Sequence, residues 1–170
     1  MKEKSLSVNN FRDMVMDLEN KLLSSDNKLI VKGNSDSFPL THSFSDGVYI
    51  REMSIREGGV IIGKIHNRSH TWFLMKGKLK IANEDGVNTY SAPTYVNASS
   101  GAKRVIVALE DSVFVNVHPN PNNITDTDEL ERILTCETYT QYKKVFQLVS
   151  NSKRLVMKKL KLKAKQQYSN

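Results

Sequence analysis

Between residues 47 and 118 the apolar side chains recur with a period of two, in short runs that turn residues interrupt at regular intervals. This period is that of β-strands with one buried face. Turns containing glycine separate the runs, among them 56–59, 83–86 and 99–101. Such spacing predicts an antiparallel sandwich or barrel. The predicted strands are residues 48–55, 60–66, 71–75, 78–82, 87–90, 93–98, 103–109 and 113–118.

The segments on either side of this region have a different pattern. Residues 9–23 carry apolar side chains at helical spacing and are predicted to form a helix. A short strand is expected at 28–32, and the polar segment 33–46 is predicted to be a loop. Helices are expected again over 125–134 and from about Glu137 onward, with Asn151 and Ser152 breaking or capping the second one. The chain is therefore divided into residues 1–46, 47–119 and 120–170.

Composition bounds the environment and the partners. The chain has 170 residues, which fits one domain with an appended segment. Its single cysteine, Cys136, permits no internal disulfide and indicates a reducing compartment, with an inert thiol as the default interpretation. No signal peptide and no membrane-spanning run are expected. We therefore expect a protein of the cell interior that is not secreted.

The net charge of +7 lies in one place. Residues 151–170 carry seven Lys and Arg side chains and no acidic one, whereas the charges of the rest of the chain cancel. Leucine and valine side chains are interspersed with these cations, so the tail is a basic amphipathic segment. It suits a helix that docks on another subunit or on its own barrel, a segment that binds nucleic acid or another acidic partner, or a membrane-surface helix.

Two of the four histidines, His66 and His70, lie four positions apart at a predicted turn between strands. Neutral imidazole is a common ligand of transition metals. On one straight strand the two residues would be roughly 13 Å apart, so they can share a metal ion only if residues 67–69 turn the chain. His118, at the end of the last strand, is the third candidate. Residues 103–109 and 113–118 are predicted to pair as a hairpin around Glu110 and Asp111. A two-residue turn there would put His118 and Arg104 on opposite faces, and a three-residue turn would put them on the same face.

The β region resembles a cupin, a small jelly-roll barrel. With Gly77 as the closing glycine of the first cupin motif, the acid position falls on His70, the second histidine on His66 and the first on Lys64. Residues 99–104 match the second motif, with Arg104 at its histidine position. Residues 47–134 are also similar to small cupin-like proteins of tailed bacteriophages. The resemblance implies a single antiparallel jelly-roll barrel with an N-terminal helix and a helical basic C-terminal extension, and a homodimer or higher oligomer.

Two interpretations of the site stay open at the level of sequence. In the first, His66, His70 and His118 hold a divalent transition metal (zinc, iron, nickel or manganese) with a further position open. In the second, no metal is bound, and Lys64 and Arg104 point inward to bind a small anion or to form ion pairs. Glu52 is a possible carboxylate ligand or acid.

Three further residues have simple interpretations. His42 is expected to be exposed in a loop. Trp72 and Phe73 point to opposite faces of one strand, so one should be core and the other a rim or oligomer contact.

Two classes of function follow. The first is a cupin-fold protein that binds a metal ion or small anionic ligand inside the infected cell, without catalysis. The second is an accessory structural protein of the virus particle, in which the barrel serves oligomerisation and the basic tail contacts virion proteins or nucleic acid. The host cytoplasm or the virion is accordingly the expected location.

Overall fold

The computed structural model describes residues 8–27, 30 and 36–167, and gives only the backbone for 9, 153, 155, 156 and 158–167. It contains three helices: α1 (Val8–Leu23), α2 (Thr127–Leu134) and α3 (Tyr139–Gln167). The strands are β1 (Leu40–Ser45), β2 (Val48–Ile55), β3 (Val60–Ile62), β4 (Ile65–His66), β5 (His70–Lys76), β6 (Lys78–Asn83), β7 (Gly86–Ser91), β8 (Thr94–Ala98), β9 (Val105–Ala108), β10 (Ser112–Pro119) and β11 (Thr135–Cys136).

The strands form two main antiparallel sheets. One has the order β1-β2-β10-β5-β8 and the other the order β3-β9-β6-β7, while β4 pairs with β11 beside them. The chain passes repeatedly from one sheet to the other, and inner-face side chains from both sheets share one buried cluster. The expected mainly β fold, an antiparallel jelly-roll barrel with helices at both ends, is confirmed.

The passage between sheets corrects one prediction. Residues 103–109 and 113–118 were expected to form a hairpin, but β9 pairs with β3 and β6, whereas β10 pairs with β2 and β5. The turn at Glu110 and Asp111 is therefore a crossover. A bulge in the β10–β5 pairing between Val113 and Phe114 accompanies it. His118 and Arg104 consequently approach from opposite sheets, which neither of the two hairpin turns considered would produce.

Residues 40–45 correct a second prediction, because they form β1 rather than a loop. Asp46 and Gly47 make the tight turn from β1 to β2, and Gly47 takes a φ of +72°, a conformation that glycine adopts freely. The sheet therefore extends back across the predicted boundary between residues 46 and 47. The strand expected at 28–32 falls on residues of which only Ile30 is described.

The helices agree with the sequence pattern except at one point. Asp126 caps α2 by accepting hydrogen bonds from the backbone N–H groups of Asp128 and Glu129. α3 runs through Asn151 and Ser152 without the expected break. These two residues cost a helix only a few tenths of a kcal/mol each, and neither glycine nor proline is present to end it. None of the described helices combines the length and the hydrophobicity that crossing a bilayer requires.

The hydrophobic core fills one end of the barrel. Trp72 on β5 is 2% exposed and lies at its centre, as expected for one of the Trp72–Phe73 pair. Phe73, on the other face, packs beside Tyr95. The fully or nearly buried cluster comprises Ile55, Trp72, Leu74, Leu79, Ile81, Ile106, Ala108 and Phe114.

Candidate metal centre

The structure brings the three predicted histidines together at the other end of the barrel. His66 ends β4, His70 begins β5, and His118 lies near the end of β10. Residues 67–69 turn the chain between the first two, so that their ring centroids are 3.9 Å apart. The centroid of His118 lies 5.4 Å from that of His66 and 4.8 Å from that of His70. One nitrogen atom from each ring lies within 4.8 Å of the other two. Nitrogen ligands of one ion are roughly 3.5 Å apart, so the rings would have to move closer by about an ångström to bind one.

The three imidazoles are neutral at physiological pH. Burial, and then the charge of Arg104, lower the pKa of His70 to about 3. Burial, and then the charges of Arg51 and Arg104, lower the pKa of His118 to about 4. Burial of the ring lowers the pKa of His66 well below its ordinary value as well. Neutral imidazole is the form that binds metal ions, so a divalent ion would not have to displace protons from the three rings at pH 7.

His66 has a nitrogen atom available for a ligand. Its Nδ1 atom is buried and has no hydrogen-bond partner. Buried polar atoms are almost always paired, and an exception calls for an explanation such as an ion or water. Three neutral nitrogen donors with one such atom fit a transition metal with its remaining positions open.

Arg104 engages the second histidine directly. Its Nη2 atom donates a hydrogen bond of 2.8 Å to Nε2 of His70. Because a guanidinium group can only donate, Nε2 of His70 is the acceptor, and the ring proton is on Nδ1, which lies 3.4 Å from the carbonyl oxygen of Arg68. Burial lowers the pKa of Arg104 to about 10, which leaves the guanidinium charged at pH 7. The side chain of Arg104 is thus buried against His70.

Arg51 is a functional candidate that the sequence did not reveal. It lies on β2 and lines, with His42, Tyr49, His66 and His118, a cavity of about 30 Å³. Its Nε atom is buried and has no hydrogen-bond partner. The sequence did not show which face of β2 is inward, because both odd and even positions carry apolar residues. Nothing in the pattern therefore favoured Arg51 over Glu52 as the inward side chain.

Glu52 is that neighbour, and it occupies the opposite face of β2. Tyr49, Arg51 and Ile55 face the interior, and strand geometry sends the alternate side chain of Glu52 outward. Lys64 is likewise engaged elsewhere. Its Nζ atom lies 2.5 Å from Glu131 and 3.4 Å from Glu137, so its charge is paired with the C-terminal extension. The structure therefore does not bring Glu52 or Lys64 to the histidines.

His42 belongs to the same cluster, and the expectation that it is exposed in a loop is wrong. It lies on β1, its Nδ1 atom is 2.8 Å from the hydroxyl oxygen of Tyr49, and the two rings are stacked. Tyr49 in turn stacks on His118. All four histidines of the chain thus converge. The signal was the alternation of Leu40, His42 and Phe44 in a segment too polar to be recognised as a strand.

Helix α2 forms one side of the cavity. Leu130 and Leu134 pack against Tyr49, and Asp128 and Glu131 line the cavity. Asn67, in the turn between His66 and His70, donates hydrogen bonds of 3.0 Å to the carbonyl oxygens of Ile133 and Thr135. The segment that positions the histidines therefore also holds the C-terminal extension against the barrel.

No family model and no curated protein matches the sequence. Solved structures of similar architecture include a cupin superfamily protein from Desulfitobacterium hafniense (11% identity, TM-score 0.44, covering 52% of this chain and 83% of that one). They also include a cupin 2 conserved barrel domain protein from Leptotrichia buccalis (12%, 0.46, 57% and 48%). A third is KdgF from a Halomonas species (13%, 0.47, 57% and 90%). Two of these three proteins are described as cupins.

Proposed function

We propose that the barrel binds one divalent transition metal ion through His66, His70 and His118. The observation that carries this proposal is the convergence of three neutral imidazoles from β4, β5 and β10 within 4.8 Å. Zinc, iron and nickel are the ions that imidazole suits best, and manganese is a further candidate. Three protein ligands leave at least one position open.

The proposed role is binding rather than catalysis. The cavity beside His66 and His118, of about 30 Å³, has room for an ion with its water or for a small ligand. The site would then hold a metal ion, with small ligands at its remaining positions, beside α2.

Elemental analysis tests the metal site. The protein is purified from cells supplied with zinc, iron, nickel and manganese, and the metal content is measured by mass spectrometry. We expect close to one ion per chain, and a loss of at least tenfold in occupancy in each of the variants His66→Ala, His70→Ala and His118→Ala. The matched control is His42→Ala, which removes a histidine of the same cluster that is not one of the three proposed ligands. If His66→Ala, His70→Ala and His118→Ala all kept the metal content of the unmodified protein, the proposal would be wrong.

A second candidate function is supported by α3. This helix has 29 residues, and the side chains of Phe146, Leu148 and Met157 are more than half exposed. No acidic residue follows Glu137, so the helix carries only positive charge. We propose that it binds nucleic acid or an acidic particle protein, which would make the chain an accessory component of a virus particle or a factor inside the infected cell.

A binding assay tests the second candidate independently of the metal. Affinity for double-stranded DNA is measured at 50 and 200 mM salt for the full chain and for a chain that ends at residue 150. Binding that weakens steeply with salt and disappears on truncation supports the proposal. If the truncated chain retained DNA as well as the full chain, the part of α3 beyond residue 150 would have no such role.

We also propose a homodimer or higher oligomer. The outer face of the five-stranded sheet carries Tyr95 and Met75, 64% and 60% exposed, beside Phe73. Light scattering of the protein as it elutes from a size-exclusion column measures the oligomeric state. A monomeric mass at 100 µM would contradict the proposed oligomer.

A further inference from the structure

Next to the three histidines lies a buried guanidinium group, that of Arg104, with which no described carboxylate forms an ion pair. Arg104 is only 5% exposed. Within residues 8–27, 30 and 36–167, no carboxylate forms an ion pair with Arg51 or Arg104. The residue next to Arg104 shows the usual arrangement. Lys103 is 1% exposed, and its Nζ atom lies 3.0 Å from Glu19 and 2.8 Å from the carbonyl oxygen of Gly63. A buried charge is normally paired in this way, so Arg104 is an exception.

The hydrogen bond that Arg104 does make competes with a metal ion. Because the proton of His70 is on Nδ1, its one lone pair is on Nε2, and the guanidinium occupies that lone pair at 2.8 Å. A metal ion bound to His70 through Nε2 requires the same lone pair. Arg104 must therefore leave His70 before all three histidines can act as ligands.

The charges add to this competition. A divalent ion among the histidines would lie beside Arg51 and Arg104, and like charges in an interior of low dielectric repel strongly. An anion would relieve both difficulties, because it gives the guanidinium an acceptor in place of His70 and offsets the added positive charge. Arg51, which lines the same cavity as His66 and His118, has a buried Nε atom with no hydrogen-bond partner and could provide a second donor.

We propose that the barrel binds its metal ion together with a small carboxylate or inorganic oxyanion, which accepts the hydrogen bond of Arg104 and thereby frees Nε2 of His70. This inference rests on the proposed metal site and adds a second ligand to it. Because linkage is reciprocal, the metal should raise the affinity for the anion by the same factor.

The test is a titration of the metal-free full chain with Co²⁺ at pH 7.5 and constant ionic strength, followed by calorimetry and by the visible absorption of the bound ion. Three media are compared: sodium perchlorate, whose anion coordinates weakly, sodium acetate and sodium sulfate. We expect the Kd for Co²⁺ to be at least tenfold lower in acetate or sulfate than in perchlorate. Which of the two anions acts distinguishes a carboxylate from a tetrahedral oxyanion.

Two variants assign the effect. Arg104→Met removes the competing donor at similar volume, so its Kd in perchlorate should fall at least tenfold and should no longer depend on the anion. Lys80→Ala, which removes an exposed cation from β6, should behave as the wild type. If Arg104→Met does not fold, as judged by circular dichroism, the comparison of the three media on the wild type decides alone.

The outcomes separate the two proposals. Tight Co²⁺ binding that is the same in all three media and in Arg104→Met would overturn the anion inference and leave the metal site standing. An equal gain from acetate in wild type and Arg104→Met would overturn the role of Arg104. No Co²⁺ binding in any medium by either protein would overturn both proposals.

Discussion

The two ends of the barrel interior are built from the same strands and yet have opposite characters. Along β10 the inward side chains are Phe114, Asn116 and His118, and along β5 the interior changes from Leu74 and Trp72 to His70. One end is a closed apolar core and the other a layer of imidazoles and guanidiniums. The comparison teaches that inward position alone does not define the core here. Folding free energy should come from one end of each strand, and binding should be confined to the other.

The largest expected effect separates the two ends on a single strand. Phe114→Ala should lower the free energy of unfolding by about 3–5 kcal/mol, because it removes a 2% exposed ring from the centre of the core. His118→Ala, four residues along the same face, should cost less stability and should lose the metal. Urea denaturation measures the first quantity and elemental analysis the second. Equal destabilisation by both substitutions would break the comparison.

Acid should act through the polar end. The unfolded chain protonates its histidines below about pH 6.5, whereas the pKa values of about 4 for His118 and about 3 for His70 keep these rings neutral in the folded protein. The unfolded state therefore binds more protons in this range, and stability falls as the pH is lowered from about 6.5 towards 4. At pH 5 the loss is on the order of 2 kcal/mol for each of the two residues.

Urea denaturation of the metal-free protein between pH 4.5 and 7.5 measures this dependence. The variant His118→Asn should show a shallower slope, because one of the titrating groups is absent. A stability independent of pH over this interval would show that the histidines are solvated in the folded state.

The border between the two layers gives a smaller effect of opposite sign. Asn116 is 6% exposed, and its Oδ1 atom has no hydrogen-bond partner. Asn116→Leu should leave stability unchanged or raise it by about 1 kcal/mol, because an unsatisfied buried acceptor is replaced by an apolar group of similar size. Thermal unfolding followed by circular dichroism measures the change. Destabilisation by more than about 1 kcal/mol would mean that Asn116 is part of the polar network.

The smallest effect is expected at the rim. Lys64 pairs with Glu131 and Glu137, but its side chain is 38% exposed, and such ion pairs contribute less than about 1 kcal/mol. Lys64→Ala should therefore change the urea midpoint only slightly and leave the metal content intact. Loss of the metal in this variant would bring Lys64 back into the site.

Local patterns revealed the strands and the histidine pair, because a period of two and two rings joined by a short turn are properties of neighbouring residues. The pairing of β9 and β10 with different sheets could not be read in the same way, since a short turn at Glu110 serves a hairpin or a crossover equally well. Arg51 was missed because β2 carries apolar residues on both of its faces, so that the inward face could not be identified. The position of α2 depends on the packing of Leu130 and Leu134 against Tyr49. The sequence around residue 130 predicts an amphipathic helix but does not identify Tyr49 as its partner.

The attachment of α2 bears on kinetics. Asn67 is bonded to the backbone on both sides of Leu134, and Cys136 Sγ lies 3.1 Å from Oδ1 of Asn67, so this segment is held at several points. If a ligand reaches the histidines only when the segment detaches, entry and escape share one opening rate. Exchange of a bound ion with chelator should then proceed at a rate that does not increase with chelator concentration, and a slow residence time need not reflect tight binding.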